Sequence, residues 1–151
     1  MGMSLQKLSI IAKQRDDVRR ATFRRAIAMF SRHQFLFIDE SSKDDRTFVR
    51  KYGHNLKGTR CSKRDNFTRG TRFSVLAALS ITGIEAAHTI VGAYTQELFE
   101  FAMVNFVIPK VGSFAKHEKC SIIIMDNCNI HFSERVFNQI REKGGIVMFL
   151  P

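Results

Sequence analysis

Two aspartates placed alike carry the first chemical signal in this sequence. Asp39 closes the apolar run Phe35-Leu36-Phe37-Ile38, and Asp126 closes Ile122-Ile123-Ile124-Met125. A buried carboxylate is costly unless it is paired or holds a metal ion. Side chains alternate faces along a strand. Asp39 therefore shares a face with Phe35 and Phe37, Asp126 shares one with Ile122 and Ile124, and Glu40 points the other way. If the two strands are neighbours, both carboxylates converge at one edge of a sheet. Hard oxygen donors of this kind suit Mg2+ or Mn2+. Two such ions roughly 3.5–4 Å apart can clamp the attacking and leaving oxygens of a phosphodiester.

Other polar residues stand around this pair. His131 follows Asp126 by five positions and reads as a loop histidine that hydrogen-bonds the strand end and positions Asp126. Asn127 reads as a residue that orients Asp126, and Glu40 as a supporting residue whose strand parity takes it off the metal face. Glu134 and Glu142 fall on a helix as surface charges, and His88 in a strand as a partly buried residue. Cys61, Cys120 and Cys128 are odd in number and widely spaced, with no Cys-x-x-Cys pair. Neither a zinc site nor a disulfide framework is indicated, which fits a reducing, intracellular compartment. Cys120 and Cys128 read as small core residues.

The elements that must position these groups follow from the hydrophobic pattern. Residues 5–30 read as one basic helix, with a break in its apolar spacing at Arg15. The strand 35–39 comes next, then a polar stretch of loop composition from Ser41 to Asp45, with Thr47-Phe48-Val49 as a possible short strand. Residues 72–80 and 84–91, separated by Thr82-Gly83, form a hairpin. Thr95 caps a helix that carries a wide apolar stripe and ends at Pro109. Strand 121–126 leads to a helix capped by Ser133 and stopped by Gly144-Gly145, and Ile146 to Leu150 is a final strand. Helices connect the later strands, so those are parallel, whereas the first three are antiparallel. The expected fold class is α/β, with a mixed five-stranded sheet.

Composition narrows the function. A length of 151 residues and a hydrophobic content of 44% with 14 Phe suit a packed domain. No apolar run approaches the roughly 20 residues of a membrane helix, and charges interrupt the N-terminus too often for a signal peptide. The net charge is +10 and unevenly spread, with +6 over residues 1–34 and +7 over residues 43–72. Basic segments this concentrated point to nucleic acid. Lys57, Arg60, Lys63, Arg64, Arg69 and Arg72 are the candidate phosphate contacts. Such contacts position DNA without reading its sequence.

Phe37-Ile38-Asp39-Glu40-Ser41, the segments Arg50 to Gly53 and Lys57-Gly58, Phe73 to Leu79, Met125-Asp126-Asn127-Cys128-Asn129-Ile130-His131 and Gly144 to Pro151 occur in an order that resembles the catalytic domain of mariner-type transposases, DDE superfamily endonucleases. The resemblance covers about residues 35–151 and implies an RNase H-like fold that cuts and rejoins DNA with two divalent metal ions, Mg2+ or Mn2+. It implies residues 1–34 as a basic linker or arm, Asp39 and Asp126 as the first two catalytic and metal-binding acids, and DNA ends and target as partners, with a possible homodimer. The family also has a His at the position of His131, which leaves a catalytic or DNA-contacting role open there. Its third acid lies on a helix beyond the strand matched by Ile146 to Leu150, so the triad is expected to be incomplete within these residues. The alternative is then a catalytically dead remnant that binds DNA non-specifically. The implied location is the nucleus in a eukaryote and the cytoplasm otherwise.

Overall fold

The structure, a computed structural model, describes residues 16–44, 52–62 and 70–151. The possible strand at Thr47 to Val49 and the first part of the basic helix lie outside the described residues. Contacts group the chain into two units, residues 31–150 as one and residues 1–30 with Pro151 as the other.

In the smaller unit, helix α1 spans Asp17–Ala28. Asp16 caps it, its carboxylate accepting hydrogen bonds from the Val18 and Arg19 amides at 2.9 and 3.0 Å. None of its residues is buried. Its apolar side chains are too few to seat it on a core, and Arg19, Arg20, Arg24 and Arg25 stand in solvent.

The larger unit is a five-stranded sheet in the order β3-β2-β1-β4-β5. Strands β1 (Phe35–Lys43), β2 (Phe73–Ser80) and β3 (Gly83–Val91) pair antiparallel. Strands β4 (Ile122–Met125) and β5 (Ile146–Phe149) extend the sheet in parallel from β1. This is the mixed sheet that the element order implies. The β2–β3 hairpin turns at Ile81-Thr82, and Gly83 takes φ +123°, which only glycine adopts freely. Glu85 braces that turn by accepting from the Ser80 and Thr82 hydroxyls, both at 2.8 Å.

One face of the sheet is covered. Helix α2 (Gln96–Ala102), capped by Thr95, runs into a π turn at Met103–Val107 and a 3-10 turn at Ile108–Lys110. The sequence pattern reads as one uninterrupted helix to Pro109. The chain instead changes its winding at Met103, and Phe99, Ala102, Met103, Val107 and Ile108 all reach the core. Helix α3 (Glu134–Glu142), capped by Ser133, adds Val136 and Ile140. These pack on Leu36, Ile38, Leu76, Ala78, Ile123 and Met125, the inward-pointing residues of the sheet. Cys120 is buried in the same core, whereas Cys128 is exposed, so the reading of Cys128 as a core residue is wrong: it follows the end of β4, outside the covered face.

Strand β1 is longer than expected. It continues past Asp39 through Ser41 and Ser42 to Lys43, although this stretch has loop composition. The reason is the partner: Ser41, Ser42 and Lys43 pair with Val75, Ser74 and Phe73 of β2, and ladder hydrogen bonds outweigh the weak strand preference of the serines. Pairing of β1 with β4, by contrast, runs only from Phe35 to Phe37. The sheet therefore opens beside Asp39.

Candidate active site

Asp39 lies where β1 leaves β4. The parallel register pairs Phe35 with Ile122, Leu36 with Ile123 and Phe37 with Ile124. Continued two residues, it sets Asp39 level with Asp126, on the same face. Both aspartates line one cleft of about 400 Å³ with Phe37, Ile38, Ile124 and Leu150. Both are exposed to solvent. Each holds a local amide: Glu40 N–H donates to Asp39 Oδ1 at 2.9 Å, and Cys128 N–H to Asp126 Oδ1 at 3.1 Å.

Glu40 points to the opposite face, as strand alternation requires, and there it meets His131. The imidazole sits on a 3-10 turn, Asn129–His131, and is fully buried. Its Nε2 lies 2.9 and 3.0 Å from the two Glu40 carboxylate oxygens. Its Nδ1 lies 2.8 Å from Asp126 Oδ1 and 3.1 Å from the Asp126 carbonyl. Both ring nitrogens thus face acceptors, which an imidazolium satisfies by donating on each side. Burial opposes that charge, but the Glu40 hydrogen bond, the Asp126 carbonyl and the two carboxylate charges together hold the His131 pKa above its ordinary 6.5. The Phe99 ring packs 4.7 Å from the imidazole and closes the pocket. Glu40, His131 and Asp126 form one continuous bridge from β1 to the end of β4.

Asn127 does not touch the Asp126 carboxylate through any hydrogen bond of its side chain. Its amide donates to the Leu150 carbonyl at 2.9 Å, and Leu150 N–H donates to the Met125 carbonyl at 2.9 Å. Asn127 thereby ties the end of β4 to the end of β5. Glu134 and Glu142 are exposed on α3. His88, in β3, is half-buried; its Nδ1 lies 2.9 Å from the Tyr94 hydroxyl, and its ring stacks 5.0 Å from Phe106. Lys57, Arg60 and Arg72 are exposed, and Arg72 stands at the start of β2 beside the end of β1. Lys63, Arg64 and Arg69 lie outside the described residues.

The Glu40–His131 pair is the part that residue patterns leave unspecified. Parity puts Glu40 on the covered face, where a carboxylate needs a partner, but His131 is 91 residues away and nothing local joins the two.

Residues 34–151 match the model of the DDE superfamily endonuclease family. The chain belongs to the DDE superfamily endonucleases. Its fold is the RNase H-like α/β fold of the Mos1 mariner transposase. The Mos1 transposase paired-end complex with the left transposon end superposes with a TM-score of 0.67 at 15% identity, over 95% of this chain and 46% of that one. The Mos1 mariner paired-end complex with Mn gives 0.67 at 15% identity, over 97% and 47%. The isolated catalytic domain of Mos1 mariner transposase gives 0.56 at 12% identity, over 94% and 63%. The chain thus spans about half the length of the transposases in those complexes. No curated protein matches the sequence significantly.

Two carboxylates level on one face, open to water, are suitable oxygen donors for a hard divalent cation. Among the described residues, no group of three or more His, Cys, Asp or Glu side chains is arranged to hold a metal ion. Among the described residues, Asp39 and Asp126 are the two carboxylates at this cleft that could serve as donors to such an ion.

Proposed function

We propose that this domain serves metal-dependent cleavage and transfer of DNA strands in transposition, with Asp39 and Asp126 as its metal-binding catalytic acids. The observation that carries this reading is that both aspartates line one cleft, Asp39 just past the β1–β4 pairing and Asp126 just past the end of β4. Family membership and the Mos1 fold support it, and Mos1 itself is described with Mg and with Mn. The cation, Mg2+ or Mn2+, would activate the attacking oxygen and stabilise the leaving oxygen of a phosphodiester. The chain's own residues set the stage for this. Asp39 and Asp126 offer oxygens on one face. The Glu40–His131 bridge fixes the Asp126 carboxylate through Nδ1, and Asn127 fixes the backbone that carries it. Lys57, Arg60 and Arg72, with Lys63, Arg64 and Arg69, would hold the DNA backbone, and the basic residues 1–34 would act as an arm along it. The expected site of action is the nucleus in a eukaryotic host and the cytoplasm otherwise, with pairing of two copies on two DNA ends.

Binding of duplex DNA without cleavage is the second reading, favoured by the donor count, since the described residues bring two ligands and no third. One assay separates the two. Supercoiled plasmid is incubated with the full chain and Mn2+, beside Asp39→Ala and Asp126→Ala. Nicking that both substitutions abolish establishes the first reading. Plasmid bound at low salt but left intact establishes the second. No binding at low salt contradicts both.

A further inference from the structure

Strand β5 is one of the two edges of the sheet among the described residues. The Ile146 and Leu150 amides donate to the Ser121 and Met125 carbonyls, both at 2.9 Å. A ladder alternates, so the N–H and C=O groups of Val147 and Phe149 face away from β4. Edge strands are ordinarily blunted by charges, prolines or bulges. The opposite edge, β3, follows this rule: it carries Glu85 and His88, and its pairing with β2 shifts register at Ala78 and Leu79. No residue from Gly145 to Leu150 carries a charge. Beside this bare edge lies a cavity of about 320 Å³, walled by Phe137 and Arg141 of α3 and by Gly145, Ile146, Val147 and Phe149. The Phe149 ring is held there by Phe132 at 4.9 Å and Phe137 at 6.0 Å.

Open backbone groups next to an apolar groove are the features that receive an added strand: the ladder supplies affinity and alternate side chains fill the groove. Val147 and Phe149 turn their side chains to the helix-covered face, where they pack on the core. Alternate residues of a strand laid along β5 would therefore fall between β5 and α3, against Phe137 and Arg141. Arg141 decides what they are. Its guanidinium reaches Asn138 Oδ1 at 3.5 Å and forms no ion pair among the described residues. No carboxylate of the described residues lines the cavity. A second copy of the chain is a poor occupant. Its own β5 is uncharged, so pairing two such edges would cover Arg141 without a counter-charge, and each copy adds a net charge of +10. An acidic side chain among apolar ones suits both walls of the groove.

We propose that the β5 edge and the groove beside α3 bind an extended segment of a partner protein, with apolar residues at alternate positions and one Asp or Glu opposite Arg141. Neither Asp39 nor Asp126 takes part. The test uses the full 15N-labelled chain and the capped peptide Glu-Thr-Val-Thr-Val, whose Glu and Val side chains share one face. NMR titration should shift the Val147 and Phe149 amides saturably, and more than those of Ile146 and Met148, which face β4. The same peptide with Lys in place of Glu should bind roughly tenfold more weakly. Arg141→Glu, at an exposed position of α3, should reverse the preference between the two peptides. No saturable shift at Val147 and Phe149 overturns the site. Equal affinity for the two peptides, or an unreversed preference in Arg141→Glu, overturns the acidic partner. The same amide shifts on raising the protein concentration without peptide would assign the edge to a second copy and overturn the partner segment.

Discussion

At the scale of single residues, His131 is the most constrained side chain of the site. It is fully buried, yet both ring nitrogens meet carboxylate oxygens, one from β1 and one from the residue that follows β4. Removing it leaves Glu40, itself only 20% exposed, without its partner. An unsatisfied buried polar group costs about 1–3 kcal/mol, and more when charged. His131→Asn is therefore expected to lower the urea unfolding free energy by about that amount, whereas Glu40→Gln alone costs less because its amide oxygen still accepts from Nε2. The double variant should show a coupling of roughly 0.5–3 kcal/mol, as contacting residues do. Additive single effects would mean that Glu40 and His131 do not act as a pair.

At the scale of elements, two joints hold the site's strands in place. The first is the stop after α3. Gly144 takes φ +81° and its amide bonds the Arg141 carbonyl at 2.8 Å; Gly145 N–H bonds the Ile140 carbonyl at 2.9 Å. A Cβ on Gly145 would lie 2.7 Å from Val111 Cγ1 and 3.0 Å from Ile140 Cγ2. Gly145→Ala should thus cost about 1–3 kcal/mol by overpacking, read as a lower urea midpoint with an unchanged slope. The second joint is the β2–β3 turn. The Ser80 and Thr82 hydroxyls, with Lys119 3.6 Å away, hold the Glu85 carboxyl below its ordinary 4.5. A carboxylate with a lowered folded pKa stabilises the fold above the unfolded value, and the effect is lost as pH falls through the folded value. Urea midpoints of the wild type and Glu85→Gln should differ above pH 4.5 and converge below it. A constant difference down to strongly acid pH would contradict this account.

At the scale of the whole molecule, β1, β2 and β3 leave apolar side chains open on the face away from α2 and α3, although Ile122 and Ile124 of β4 are buried on that same face. The α2 and α3 segments cover the face of Leu36, Leu76 and Ile123, while the opposite face shows Phe37 at 46%, Phe73 at 50% and Leu79 at 48% exposure. Ile84, paired with Leu79, extends this apolar surface. Exposed apolar patches of this kind drive association. Strand β5 is half-buried from Ile146 to Phe149, and the more open apolar surface lies on β1, β2 and β3. The chain should self-associate at micromolar concentration, and Phe37→Ser with Leu79→Ser should reduce that. A clean wild-type monomer by light scattering would contradict the prediction.

Much of the fold was legible in the chain because its signals are local. Alternation marks strands, Thr95 and Ser133 cap helices by bonding amides three residues on, and Gly144 ends α3 through its own φ. The parity of β1 also separates Asp39 from Glu40 without any knowledge of neighbours. The tertiary structure decided what depends on partners far along the chain. Ser41 to Lys43 become strand because β2 offers a ladder, and Asp39 comes level with Asp126 because β1 and β4 pair in one register. His131 becomes a bridge because packing of its turn carries it to Glu40, 91 residues away. Local residue preferences amount to tenths of a kcal/mol, so pairing and burial override them wherever the two compete.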